Sequence, residues 1–523
     1  MDATTIELPD DTATLHALVL EQRQTIQQLQ RLSDGLAHRL DLALRRLYGR
    51  SSERIDPGQL LLFGQAMRQA AQAMEALANA QDAAASDKTS SKPRGHGRRP
   101  LPPDLPRHRV EHPMAPEELT CPCCDKPRVR IGEEVSEQLD YTPASLFVIQ
   151  HVRPKFACPR CEDGGVVTAD KPDVGQVIDK GLPGPGLVAH VVTSKYADHL
   201  PLYRLEGILS RHGVELARST MCGWMKAAAD LLAPLVNGMA ARVRQSKVIH
   251  TDDTPVPVQD PASGSNKTRT ARLWVYLGDD EHPYTLFDYT PNRTRDGPAA
   301  WLKDFRGYLQ ADAFGGYDGI YATGDVTEVA CWAHARRKFY DARNSDAARA
   351  HHVLAIIRLL YDVERDAGEL EAGQRLALRR ERSRPLLDQL QVWLNEQREM
   401  VLPKSPMGQA MTYALNNWDA LLRYTTDAPG GGGNLAIDNN VAERAIRPLT
   451  VGRKNYLFLG SDTGGRTAAI LYSLTASAKR HGLDPFVYLR DVLATIGATP
   501  INQLDPFLPD RWKRQQLTEI AAG

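Results

Sequence analysis

Three acidic residues stand in settings that suit phosphodiester chemistry: Asp252 in KVIHTDDTPVPV, Asp312 in GYLQADAFGGYDG and Glu443 in AIDNNVAERAIRPL. The first two close short β-branched or aromatic runs, and the third opens a helix. Carboxylates delivered from two strand ends and one helix can converge on a pair of Mg²⁺ ions. Such ions take oxygen ligands, activate a nucleophile and stabilise the leaving oxygen in a phosphodiester displacement. The expectation is an enzyme that cuts or joins DNA.

The elements that must position these acids follow in a definite order. From Lys247, KVIHTDDTPVPV, ARLWVYLGDD and PYTLFDYT are β-rich runs joined by short loops. A helix (RDGPAAWLKDF), a fourth strand (GYLQADAF), a helix from Gly316 and a fifth strand (VTEVACW) come next. Three strands, a helix, then strand–helix–strand is the order of a ribonuclease-H-like α/β domain, with the first acid on strand one and the second on strand four. The third belongs on a helix after strand five. Here amphipathic helical sequence, closed by APGGGGN, separates the two. The domain is therefore expected over 240–340 and 434–480, with an all-helical insertion at 341–433 and a helical tail at 481–523.

The N-terminal half reads as a series of smaller modules. Over residues 1–80, Leu15, Leu18, Leu29, Leu32, Leu36, Leu40 and Leu47 fall mostly three, four or seven apart, as a coiled-coil seam requires. Gln22, Thr25 and Arg39 interrupt it, so the expected zipper, which would make a homodimer, is imperfect. Residues 81–114 are a basic, Pro-rich linker whose Arg98 and Arg99 are candidate phosphate contacts. CPCC at 121–124 and CPRC at 158–161 flank a β-rich stretch, the pattern of a zinc ribbon over 115–170. Cys121, Cys124, Cys158 and Cys161 would hold one structural Zn²⁺ in a closed tetrahedron. Over 180–232, LYRLEGILSRHG and RSTMCGWMKAAADLL suggest a helix-turn-helix-like region, its second helix capped near Ser219. Arg218, Ser219 and Thr220 would meet DNA there. The whole is expected to be a multidomain α+β protein.

Composition limits the alternatives. The 523 residues are too many for one core, and 42% hydrophobic with 24% charged residues is ordinary for a globular protein. Lys+Arg and Asp+Glu are both 64, so any case for nucleic acid must be local. Four of seven cysteines lie in the two CxxC pairs, which points to metal ligation in a reducing compartment rather than disulfides. No apolar run approaches the ~20 residues of a membrane span, and MDATTIELPDD lacks a signal-peptide core. A cytoplasmic location is expected.

In CWAHARRKFYDAR, Cys331 and His334 have ligand-like spacing, yet two groups alone suit support of the acids by packing and hydrogen bonding better than a second metal site. Arg336 and Arg337 follow them. Arg444, Arg447, Arg453 and Lys454 form the densest basic patch near an acid, where a substrate backbone has to pass. Each acid also has a purely structural reading. Asp252 and Asp312 could be turn residues, and Glu443 could complete a capping box with Asn440 or pair with Arg447.

The chain resembles the large transposase, the C protein, of the insertion-sequence sixty-six family of bacterial mobile elements. The matching stretches are LYGRSSE, CPCC…CPRC, KYADHLPLYRLE, RSTMCGWM, HTDDTP, YLQADAFGGYDG, CWAHARRKFYDA, LPKSPMGQAMTYAL, DNNVAERAIRPLTVGRKNYLFLGS and DPFVYLRDVL. The resemblance implies a DDE transposase with its acids at Asp252, Asp312 and Glu443. Strand alternation does not choose between Asp252 and Asp253; the resemblance favours Asp252, with Asp253 in support. The family more often has Asp-Glu where this chain has HTDDTP. It further implies Mg-dependent cleavage and strand transfer at terminal inverted repeats of double-stranded DNA, a nucleoid location, and small accessory proteins from the same element. A ribonuclease-H-like nuclease or resolvase without strand transfer, and a zinc-ribbon DNA-binding regulator, are the alternatives.

Overall fold

The structure, a computed structural model, describes residues 146–149, 155–157, 166–168, 177–178, 183–260, 267–426 and 433–513. The leucine seam, Arg98, Arg99 and the four CxxC cysteines lie outside the described residues. The chain divides into two units, 80–167 and 1–79 with 168–523. In the region of the expected ribbon, β1 (Lys155–Ala157) and β2 (Val166–Thr168) pair as a two-stranded sheet, with CPRC in the segment that joins them.

The larger unit is built on a five-stranded sheet. Its strands are β3 (Val248–Gln259), β4 (Thr268–Leu277), β5 (Thr285–Thr290), β6 (Gly307–Gln310) and β7 (Val326–Val329), in the order β5-β4-β3-β6-β7. β4 runs antiparallel to β3 and β5, whereas β3, β6 and β7 are parallel. The five strands fall where the sequence places them. Asp252 is a difference: it lies inside a long β3 rather than at its end. Pairing with β4 continues from His250 to Gln259, so the prolines at 255 and 257 bend no strand end there.

Helices cover both faces. α1 (Pro185–Tyr196), α2 (Leu202–Arg211) and α3 (Arg218–Val243) precede the sheet; α12 (Asn440–Tyr456), α13 (Asp462–Arg480) and α14 (Pro485–Thr495) follow it. Their apolar side chains, with Ile249, Leu309 and Val326, form one core. The neighbouring Val248, Tyr308 and Val329 face a second core. This is the period-two alternation of strands buried on both sides. The second core is closed by α6 (Trp332–Ala342) and the inserted helices α7 (Ala347–Asp366), α8 (Ala372–Leu378), α9 (Arg384–Arg398), α10 (Pro406–Asn416) and α11 (Trp418–Leu422). Two short helices, α4 (Asp296–Trp301) and α5 (Asp318–Tyr321), complete the connections between strands.

The edge strand β5 is sealed by a helix. Buried Ser473 and Ser477 of α13 accept from the Phe287 and Thr285 amides at 2.8 and 3.1 Å, and Ser477 donates back to the Thr285 carbonyl at 2.9 Å. These hydroxyls satisfy the unpaired edge that would otherwise recruit another strand. Gly465 permits the approach, since a Cβ there would come within 2.4 Å of the Tyr289 ring.

α2 and α3 are joined by a short turn, and α3 opens at Arg218, next to Ser219, with Ala217 as N-cap and no capping side chain. Among the described residues, no helix is long and apolar enough to cross a membrane.

Candidate active site

The parallel strands β3 and β6 stay in register for three residue pairs, the last being His250 and Gln310. Beyond that pair β6 ends while β3 runs on, which leaves a crevice at the carboxyl end of β6. Asp252 and Asp312 each lie two residues past it, Asp252 still within β3 and Asp312 in the turn after β6.

Glu443 reaches the same crevice from α12, in whose first turn it sits. The chain returning from the insertion is fixed by buried polar groups. The Gln310 side-chain amide donates to the Ala436 and Asp438 carbonyls at 2.7 and 3.1 Å, and the Trp332 amide donates to the Ile437 carbonyl at 3.1 Å. Asn439, fully buried, donates through Nδ2 to the Thr251 carbonyl at 2.8 Å, and its Oδ1 lies 3.0 Å from His250 Nδ1. Its own amide donates to Cys331 Sγ at 3.1 Å. One residue thus ties together the strand before Asp252, the start of α6 and the start of α12. Asp438 accepts from Tyr361 at 2.8 Å and from the Asn440 side chain at 2.6 Å, so Asn440 is engaged there and not in a capping box with Glu443.

Electrostatically the crevice is an acid cluster. Burial raises Asp252 to about 7, the Asp253 amide opposes that rise, and the charges of Asp312, Asp253 and Glu443 add to it. The charges of Asp312 and Glu443 are thus both felt at Asp252. Asp253 has different surroundings: it is nearly buried, and Arg272 and Arg293 both donate to it at 2.8 Å. Arg293 also lies 3.7 Å from Asp312 and stacks on the Phe314 ring at 4.0 Å. Among the described residues the ion-pair partner of Glu443 is His334, whose Nε2 lies 3.6 Å from its Oε1.

A cleft of about 390 Å³ opens beside Asp312, lined by Arg293, Phe314, His334, Lys338 and Tyr413. Exposed Arg336 and Arg337 stand on the same helix as Lys338, in the second turn of α6. Arg444, Arg447 and Lys454 are exposed on α12, with Arg453 half-buried among them. Arg218 at the head of α3 pairs with Glu206 of α2 at 3.2 Å, while Ser219 and Thr220 are exposed.

Burial pushes the Cys331 thiol up to about 11, and its sulfur accepts from the Asn439 amide. Among the described residues, no three His, Cys, Asp or Glu side chains gather into a ready-made metal site. The chemistry of the three carboxylates, oxygen donors only, nonetheless fits a hard divalent ion.

Sequence reasoning missed Gln310, Asn439, Arg272, Arg293 and Tyr413. Asn439 carries the one usable signal, since DNN before a helix reads as an N-cap, although its side chain works across the fold instead.

Residues 180–467 match the model described as Transposase IS66 family. Residues 118–162 match the zinc-finger binding domain of transposase IS66, 35–110 match Transposase C of IS166 homeodomain, and 473–509 match the IS66 C-terminal element. Among curated relatives, uncharacterized protein y4jD of Sinorhizobium fredii is 35% identical over 80% of this chain and 83% of its own length. Uncharacterized protein y4hP of the same organism is 30% identical over 93% of this chain and 90% of its own.

Proposed function

The chain belongs to the IS66 family of DDE transposases, and from that premise we propose that it cuts and joins DNA at the ends of its mobile element. What supports this most is that the charges of Asp312 and Glu443 both act on the half-buried Asp252. The sheet order β5-β4-β3-β6-β7, with β4 alone reversed, supports a ribonuclease-H-like reading of the catalytic domain.

Asp252, Asp312 and Glu443 would hold a pair of Mg²⁺ ions, which when bound supply Lewis-acid activation of the attacking and leaving oxygens. The protein's own groups do the rest. Arg293 holds Asp253 and stands beside Asp312, so the two acids keep their separate places. His334 restrains Glu443. Lys338, Arg336 and Arg337 offer cations along α6, and Arg444, Arg447, Arg453 and Lys454 offer them along α12, where a phosphate backbone can be seated. Water attacks the phosphodiester at the element end and frees a 3′-OH. That hydroxyl then attacks a target phosphodiester in line, displacing another 3′ oxygen, with no protein–DNA bond formed.

The zinc-finger match, which spans Cys121, Cys124, Cys158 and Cys161, supports one structural zinc. Recognition of the inverted repeats falls to this module, to Arg98 and Arg99, and to Arg218, Ser219 and Thr220. The N-terminal leucine seam pairs two protomers, so that two ends are handled together. Supercoiled DNA carrying candidate ends tests the reading: Mg²⁺-dependent nicking at those ends is expected. Joining of pre-cut ends to a target then separates a transposase from a nuclease that only cleaves.

A further inference from the structure

α12 carries Glu443 in its first turn and then presents Arg444, Arg447, Val451 and Lys454 on one exposed face, at steps of three or four residues. None of these three cations is ion-paired with a described acid. Past Tyr456 the chain reverses in a γ-turn of the rare positive-φ kind: Leu457 has φ 65° and ψ −51°, and the Phe458 amide donates to the Tyr456 carbonyl at 2.7 Å.

A leucine in that conformation is an outlier, and such outliers persist only where the surroundings impose them. Here both sides do. The Leu457 amide is held by the Arg453 carbonyl at 2.9 Å, while Leu459 is pinned to β3, its amide donating to the Pro257 carbonyl at 2.8 Å and its carbonyl accepting from Gln259 at 2.8 Å. The turn sends two large apolar side chains outward, with Leu457 68% and Phe458 45% exposed.

Resting on the DNA-cutting reading above, we propose that Leu457 and Phe458 form an apolar wedge that enters one base step of the DNA lying along α12. Charge complementarity selects the occupant: a row of unneutralised cations leads from the acid cluster to the tip, as a polyanion requires. Phenylalanine and leucine are the side chains that architectural proteins insert between base pairs, and opening a step kinks the duplex. From Glu443 to Leu457 is fourteen residues, about 21 Å of helix, which corresponds to roughly six base pairs of duplex.

The test uses the full chain in chelator with an element-end duplex carrying 2-aminopurine singly at successive positions. Fluorescence should rise several-fold at one or two adjacent positions about six base pairs from the scissile bond. Phe458→Ala should abolish the rise and weaken binding at least about fivefold, and Phe458→Trp should restore both. Leu457→Gly keeps the positive φ, so its turn survives while the rise diminishes. A wild-type complex in which no position brightens, or a Phe458→Ala profile equal to wild type, overturns the wedge. So does a change in oligomeric state on Phe458→Ala with unchanged fluorescence, which would give the surface to a second copy of the chain. Failure of the wild-type chain to bind any end duplex would instead refute the DNA-cutting reading itself.

Discussion

Arg293 grips Oδ1 of Asp253 with both Nε, at 3.0 Å, and Nη2, at 2.8 Å. With Arg272 on the other oxygen, Asp253 has its negative charge neutralised from two sides, whereas among the described residues no arginine donates to its neighbour Asp252. The adjacent aspartates therefore differ in their partners: Asp253 is gripped by two arginines, while Asp252 is left under the charges of Asp312 and Glu443.

That difference orders a mutational series. Asp252→Ala, Asp312→Ala and Glu443→Ala should each abolish nicking while DNA binding stays near wild type, since a lost carboxylate also removes like charge from the phosphate path. Arg293→Ala should reduce the nicking rate by about 10–100-fold, the range for groups that orient metal ligands. If Asp253→Ala is inactive and Asp252→Ala is active, the assignment of the first acid is wrong.

Asp252 also makes stability depend on pH. Burial first, and then the neighbouring acids, raise it to about 7. A carboxyl raised in the folded state holds its proton more tightly there, so its contribution is whole below the unfolded value near 4. It is lost as pH rises through about 7. In chelator, Asp252→Asn should therefore melt above wild type at pH 8, by an amount worth at most a few kcal/mol, with the gap closing toward pH 4. Melting curves that stay the same distance apart across this range would contradict the raised value.

Arg379 anchors the end of the helical insertion. Its guanidinium, 2% exposed, forks onto Glu364 at 2.8 and 2.5 Å and reaches the Leu435 carbonyl at 2.9 Å, just ahead of the segment that leads to Glu443. Glu364→Ala leaves that charge buried without its counter-ion and should cost about 3–5 kcal/mol in urea unfolding. The double variant Glu364→Met with Arg379→Met should lose less. Equal losses would show that the pair is not what holds the return segment.

Purified under reducing conditions, the protein should carry one zinc per chain, and Cys121→Ser or Cys158→Ser should reduce that to about none. Atomic absorption gives the answer directly. A chain without zinc refutes the ribbon, and two zincs would require a second site.

The candidate acids, the strand order and the insertion were legible because each has a local signature. Strands announce themselves by alternating or continuous apolar runs, and the acids stand at the borders of those runs. The ends of elements were less legible. Asp252 looks like a strand terminus because it closes a short β-branched run, yet pairing with β4 carries β3 on to Gln259. Ser219 looks like a cap, yet α3 opens one residue earlier at Arg218, and its N-cap, Ala217, offers no capping side chain.

What the sequence determined by itself was which groups are available: three carboxylates in fold order, two cysteine pairs, a leucine seam and a run of cations near the third acid. Which groups meet was decided by the tertiary structure. Gln310 and Asn439 act across 126 and 188 residues of chain, on Ala436 and Thr251 respectively, and Arg293 reaches Asp253 from 40 residues away. Such contacts leave no periodic trace, because a buried hydrogen bond constrains position in space and not spacing along the chain. The difference in surroundings between Asp252 and Asp253 was of that kind, since it turns on where two arginines from other elements come to rest.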